Sequence, residues 1–234
     1  MFRARTSLKL PVRVRNSPRI RPWFQSLWEL LYPVPEFCPL CQTGIVAEGL
    51  PGCKVCISRV NPSMHRLRLA RYQGFAVGYY DDYLQHLLYQ IKYLNQYQLA
   101  VALGKLMALA AKEQPELQAV DYFLPVPLHH ERLQKRGFNQ AEAFVEGMNQ
   151  VWPHRVYKAI RHKPTAFQSQ LTPQERIKNL NRAFTLIHPT KIKGKRLLIV
   201  DDIFTTGATF YSLADLVERN QGVPFGLFLT HSHS

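Results

Sequence analysis

Two stretches of this sequence hold side chains whose types and spacing could do chemistry. The first, "LLIVDDIFTTGAT" (197–209), runs four apolar residues into Asp201 and Asp202, then into a turn with Thr205, Thr206, Gly207, Ala208 and Thr209. Adjacent carboxylates at the end of a buried strand are costly unless something engages them. The turn suits an anion: Gly207 permits a tight backbone, amides can converge at a helix start where the dipole favours negative charge, and threonine hydroxyls add donors. Carboxylates beside an anion nest match a sugar phosphate, the acids accepting from ribose hydroxyls and the nest gripping the phosphate. An apolar run ending in Asp-Asp also resembles the metal-holding strand of P-loop nucleoside triphosphatases. That reading needs G-x-x-x-x-G-K-[ST] upstream, and Gly104-Lys105 is followed by Leu106 and lacks the earlier glycine. A purely structural turn leaves the paired carboxylates without a reason.

The second stretch is "CPLCQTGIVAEGLPGCKVC", with Cys38 and Cys41 as one C-x-x-C pair and Cys53 and Cys56 as another. Two close pairs of thiolates suit a tetrahedral structural zinc, with all four positions filled and none open for chemistry. A disulfide scaffold and an iron–sulfur cluster are the alternatives; nothing marks the chain as secreted.

Elements must hold these residues in place. Leu84, Leu87, Leu88, Ile91 and Leu94 recur at helical spacing, and a second helical run passes through Leu103, Leu106 and Met107. "VDYFLPVPL" predicts a buried strand interrupted by Pro125 and Pro127. "HHERLQKRG" is a basic loop, and Asn139 with Glu142 three residues on forms a capping-box pattern for the helix after it. "KRLLIVDD" predicts a strand, "TFYSLADLVERNQG" a helix closed by Gly222, and "VPFGLFLTHS" a last strand. Such β-α-β alternation predicts a parallel sheet with helices on both faces. In an open sheet of this kind, ligands gather at the carboxyl ends of the strands.

Composition agrees with a packed domain: 46% of residues are apolar and 12% aromatic. No apolar run reaches the length of a membrane span. Thirty basic against sixteen acidic residues give a net charge of +14. The first 28 residues carry seven of the basic ones and no acid, so the rest of the chain is basic too. This excess favours polyanionic partners. The basic lead lacks the apolar stretch of a secretory signal and reads either as a disordered basic arm or as the product of a start codon assigned too early.

The loop "LLIVDDIFTTGAT" resembles the phosphoribosyl pyrophosphate (PRPP) loop of type I phosphoribosyltransferases. With "CPLC…CKVC", "LPVPLHHERLQKRGFNQAEAF" and "RHKPTAFQSQLTPQERIKNLNRAF", the chain resembles the ComF (ComFC/GntX-like) family of competence-associated proteins over roughly residues 27–230. The resemblance implies a type I phosphoribosyltransferase-like α/β fold, a parallel sheet flanked by helices with a small N-terminal four-cysteine zinc module. It implies a basic arm and lead-in helix over 1–36, the zinc module over 37–59 and the sheet domain over 60–234. By the same resemblance, Asp201 and Asp202 take the ribose hydroxyls and Thr205 to Thr209 the 5′-phosphate, with Mg²⁺ accompanying PRPP. Arg132, Lys135 and Arg136 meet the diphosphate, and Thr165, Gln168, Arg176 and Asn179 belong to a hood over the site. A general base is not identified. The family resemblance also implies a cytoplasmic role in natural transformation, handling incoming single-stranded DNA, and contact with DNA-uptake or recombination proteins. Cations in "HHERLQKR", "HRVYKAIRHK" and "KIKGKR" and the aromatics Tyr157, Phe138 and Phe167 are the residues expected to meet DNA. The alternative is a phosphoribosyltransferase acting on an unknown acceptor.

Overall fold

The computed structural model describes residues 37–162 and 183–232. The basic arm, the hood residues Thr165, Gln168, Arg176 and Asn179, and Phe167 lie outside the described residues. Before the first parallel strand come the cysteine loops and a short helix, α1 (Lys54–Val60). An antiparallel hairpin follows, β1 (His65–Leu69) and β2 (Tyr72–Tyr79), in the stretch "HRLRLARYQG" that reads on composition as a basic link. The strand signal there is the alternation His-Arg-Leu-Arg-Leu, whose leucines turn inward while the arginines stay in solvent.

Two helices come next, α2 (Asp82–Tyr93) and α3 (Tyr97–Ala111). Asp81 caps α2 by accepting from the Leu84 amide at 2.7 Å. Leu84, Leu87, Leu88 and Ile91 are buried as their spacing predicts, whereas Leu94 lies beyond the last turn and is exposed. After β3 (Tyr122–Pro125), the basic loop contains one short helix, α4 (His130–Arg136), ended by Gly137 in the left-handed conformation. Helix α5 (Gln140–Asn149) starts at Asn139, whose Oδ1 accepts from the Ala141 amide. Short strands β4 (Arg155–Val156), β5 (Ala159–Arg161) and β6 (Phe184–Leu186) lead to β7 (Arg196–Phe204), α6 (Ala208–Arg219) and β8 (Val223–His231).

The main sheet has the order β1-β2-β8-β7-β3-β4, every pairing after the first hairpin being parallel, while β5 and β6 pair separately. This is the mostly parallel α/β sheet flanked by helices that the sequence leads one to expect. On β7, Leu198 and Val200 join one apolar layer with α2, α3 and α5, and Leu197 and Ile199 join the other with α6. That two-sided burial explains the unbroken run "LLIV".

Helices α3 and α5 cross with their backbones touching. A Cβ on Gly104 would lie 2.1 Å from the Phe144 carbonyl oxygen, and one on Gly147 would lie 2.0 Å from that of Val101. Gly104, half of the Gly104-Lys105 pair, is therefore a helix-packing residue in the middle of α3. Helix α6 ends in a Schellman turn: Gln221 N–H donates to Glu218 C=O at 2.8 Å and Gly222 N–H to Val217 C=O at 3.0 Å. The left-handed residue of that turn is Gln221, with φ 63°, so Gly222 follows the bend rather than making it.

Candidate functional site

Parallel pairing sets the geometry of the site. Because β3 and β7 run alongside each other, with Pro125 opposite Val200, the loop after β3 and the Asp201–Asp202 pair emerge on one edge of the sheet. Asn139 ties that loop down, donating from Nδ2 to the Val126 carbonyl at 3.0 Å while it caps α5. The result is a cavity of about 690 Å³. Asp201, Asp202, Thr205 and Thr209 line it together with Arg132, Lys135 and Arg136. The expected ribose, phosphate and diphosphate residues that are described thus share one cavity or its margin. Thr206, Gly207 and Ala208 line a smaller adjoining cavity of about 70 Å³, together with Asp201, Thr205 and Thr209.

The carboxylates do not end the strand, which continues through Ile203 and Phe204. Side chains alternate along a strand, so neighbouring aspartates leave toward opposite layers. Asp202 points to the α2 side, where its Oδ2 meets Lys92 Nζ at 2.6 Å; its Oδ1 accepts from the Ile203 amide at 2.8 Å. Asp201 is half-buried and turns to the α6 side, near Phe210 and Phe228. Its Oδ1 accepts from the Asp202 amide at 2.9 Å. Burial first, and the neighbouring Asp202 carboxylate second, push the Asp201 carboxyl well above its ordinary range. Burial also lowers Arg136 and Arg161 from the usual guanidinium value, opposed in Arg136 by the nearby Asp202 charge and in Arg161 by that of Asp201. Both remain cations, as arginine does in proteins.

The turn at 205–209 has the form an anion site needs. Gly207 takes φ 72° immediately before α6, and a Cβ there would sit 2.6 Å from the Tyr211 ring and 2.7 Å from that of Phe204. Only glycine lets the chain enter α6 this tightly. Gly207 has no side chain to cap the helix, and the Ala208 amide, the first of α6, donates to Thr206 Oγ1 in a long contact of 3.4 Å. Thr205 and Thr206 are exposed beside it.

Four cavity residues escaped the sequence reading, Lys92, Tyr93, Asn95 and Gln140, and Arg161, read from the sequence as a cation for DNA, lines the same cavity. Lys92 sits in the last turn of α2, where a basic residue is expected merely to complement the dipole. What gives it a site role is its partner 110 positions away, which spacing along the chain does not reveal.

The cysteines form a separate centre. All four are free thiols, and the four Sγ atoms lie within 4.8 Å of one another, so the cluster could hold a metal ion. The first pair is a turn in which Cys38 N–H donates to Gly44 C=O at 2.7 Å and the Gly44 amide points at Cys41 Sγ at 3.3 Å. Hydrogen bonds from Thr43 and from Gly44 bring the Cys41 thiol down to about 6, against the effect of burial, which favours thiolate at neutral pH. Cys53 and Cys56 come from the start of α1, and Cys38, Cys53 and Cys56 belong to the same apolar layer as α2 and α3. A donor set of four sulfurs, with an N–H···S bond already made, fits a structural site rather than a reactive one.

Of the aromatics expected to meet DNA, Tyr157 is buried, with its hydroxyl donating to the Ile187 carbonyl, and Phe138 is packed edge-on against Tyr97. Phe138 is only partly buried, and Tyr157 lines a cavity with Arg155, Lys158 and Lys191. No described helix is long and apolar enough to cross a membrane.

No family model matches the chain. DNA utilization protein YhgH of Escherichia coli K12 is 31% identical over 189 residues, covering 78% of each chain. Competence protein F of Haemophilus influenzae is 30% identical over 151 residues, 61% of this chain and 65% of its own. Competence protein ComFC of Bacillus subtilis is 27% identical over 196 residues, 82% and 76% of the two. Among solved structures, adenine phosphoribosyltransferase from Leishmania tarentolae superposes with a TM-score of 0.43 at 11% identity, over 72% of this chain and 95% of that one.

Proposed function

The chain belongs to the ComF family, and from that premise we propose that it binds PRPP and acts on incoming single-stranded DNA in the cytoplasm during natural transformation. One observation carries the reading: Asp201, with Thr205 and Thr209 at the entry to α6, lines the same cavity as Arg132, Lys135 and Arg136. A phosphorylated pentose carries hydroxyls for the carboxylate, a 5′-phosphate for the helix start and a diphosphate for the cations. When bound, Mg²⁺ would neutralise diphosphate charge through oxygen ligands. Zinc is the ion proposed for Cys38, Cys41, Cys53 and Cys56, in a structural role.

Support for the DNA part comes from charge. Arg155, Lys158, His188 and Lys191 line a cavity of about 670 Å³ with Tyr122 at the sheet edge beyond β4, and none of them lines the PRPP cavity. Backbone phosphates on such a surface would release counterions. The relatives' names, DNA utilization and competence, point the same way.

The test is calorimetry of PRPP with wild type and Asp201→Ala, repeated with single-stranded DNA present. Wild type is expected to give a binding heat that Asp201→Ala loses. A silent wild type would remove the reading. A second function, transfer of ribose 5-phosphate from PRPP to an acceptor, uses the same cavity, because Arg132, Lys135 and Arg136 suit the charge of a departing diphosphate. It requires pyrophosphate release that depends on acceptor and on Asp201, whereas the binding role does not.

A further inference from the structure

We propose that Lys92 is a built-in cation of the phosphosugar cavity, doing at Asp202 what a divalent ion would otherwise do there. This rests on the PRPP reading and adds the residue that sets its dependence on metal. Asp202 is 8% exposed, and both its oxygens are taken: Oδ1 by the Ile203 amide at 2.8 Å and Oδ2 by Lys92 Nζ at 2.6 Å. Each carboxylate oxygen keeps a second lone pair, but the ammonium at 2.6 Å already balances the Asp202 charge that would otherwise draw a divalent ion. Asp201, facing the phosphate turn from the other side of the strand, is left as the acceptor for ribose.

The position of Lys92 is built rather than incidental. Its side chain is 23% exposed and extends from the last turn of α2, whose leucines are locked in the core one turn earlier. It shares the cavity with Arg132, Lys135, Arg136 and Arg161, so among the described residues five cations line the same cavity as two carboxylates. A diphosphate or phosphate entering such a field finds its charge already matched. An ammonium has three donors, so Lys92 can keep its bond to Asp202 and still donate to a ligand oxygen.

Ribose 5-phosphate and PRPP are the probes, titrated by calorimetry in EDTA and in Mg²⁺. Wild type is expected to bind ribose 5-phosphate in EDTA within about threefold of its affinity in Mg²⁺. Lys92→Met should lose about tenfold or more in EDTA, the scale of a charged hydrogen bond, and recover most of it when Mg²⁺ is added. Lys92→Arg keeps a cation and should bind without metal. It also guards against misfolding of the methionine variant, and a thermal melt of each variant checks this directly. Binding by wild type only when Mg²⁺ is present overturns the proposal, and so does metal-free binding by a folded Lys92→Met equal to wild type. So does a folded Lys92→Met that Mg²⁺ fails to rescue. Absence of any binding by wild type, with or without Mg²⁺, instead sinks the underlying phosphosugar reading.

Discussion

Asp201 and Asp202 are neighbours in sequence with different physical lives. Asp202 is neutralised by Lys92, and Asp201 lies near aromatic rings with a carboxyl that burial and its neighbour raise well above the ordinary range. The folded chain therefore holds a proton on Asp201 to higher pH than the unfolded chain does. Below the unfolded value, about 3.9 for Asp, its burial carries no charge penalty; as pH rises through the higher folded value, stability is lost. Asp201→Asn keeps an oxygen for the Asp202 amide and removes that penalty. The variant is expected to melt higher than wild type at neutral pH, by about 2–4 °C for each kcal/mol relieved, with the gain vanishing near pH 4. It should also lose affinity for PRPP. Melts from pH 4 to pH 8 check this; an equal or lower melting temperature at pH 7 would contradict it. Types and order sufficed to single out both aspartates and the glycine turn before α6, which the fold brings to adjoining cavities. They did not suffice for Lys92, because a lysine at a helix end reads as a solvated charge until the fold supplies its partner.

At the scale of elements, the parts with strong local signals are those the sequence made legible. The stripe of Leu84, Leu87, Leu88 and Ile91, the apolar run of β7 and the Asn139 cap all stand where their spacing puts them. Weak local signals hid the rest. The β1 strand is five residues long with charged alternate positions, and α4 is a seven-residue helix with no buried side chain. Helix capping by Gln221 was hidden because glycine is the usual left-handed residue. The α3–α5 crossing was equally invisible, since its two glycines are separated by more than forty residues. Their role gives a strong expectation. Gly147→Ala puts a methyl 2.0 Å from the Val101 carbonyl oxygen, a backbone atom that cannot rotate away. The helices must separate, at a cost of about 2–4 kcal/mol, larger than ordinary overpacking of a flexible side chain. A site mutation such as Asp201→Asn should spare the fold, whereas this one should weaken everything attached to α5, including the Asn139 anchor of the cation loop. Urea unfolding measures it, and a loss below about 0.5 kcal/mol, the scale of a neutral surface change, would show that the crossing relaxes freely.

Charge belongs to the whole molecule, because a net +14 spread over many surfaces attracts any polyanion and by itself distinguishes none. The fold divides it. Arg132, Lys135 and Arg136 line the cavity of Asp201 and Asp202, whereas Arg155, Lys158 and Lys191 lie around a second cavity at the β4 edge. If the first set serves PRPP and the second serves DNA, the two activities can be separated by mutation. Replacing Arg155, Lys158 and Lys191 together with alanine removes exposed cations that belong to neither the core nor the Asp201 cavity. PRPP affinity should be unchanged. Affinity for a single-stranded oligonucleotide should fall, and its dependence on salt should flatten. Each phosphate that the protein ceases to neutralise on a single strand reduces the slope of log K against log salt by about 0.7, so three of them reduce it by about 2. Fluorescence anisotropy from low to moderate salt gives both numbers in one series. An unaltered slope would place DNA on some other face of this basic chain, and a parallel loss of PRPP binding would mean that the two anion surfaces are not independent.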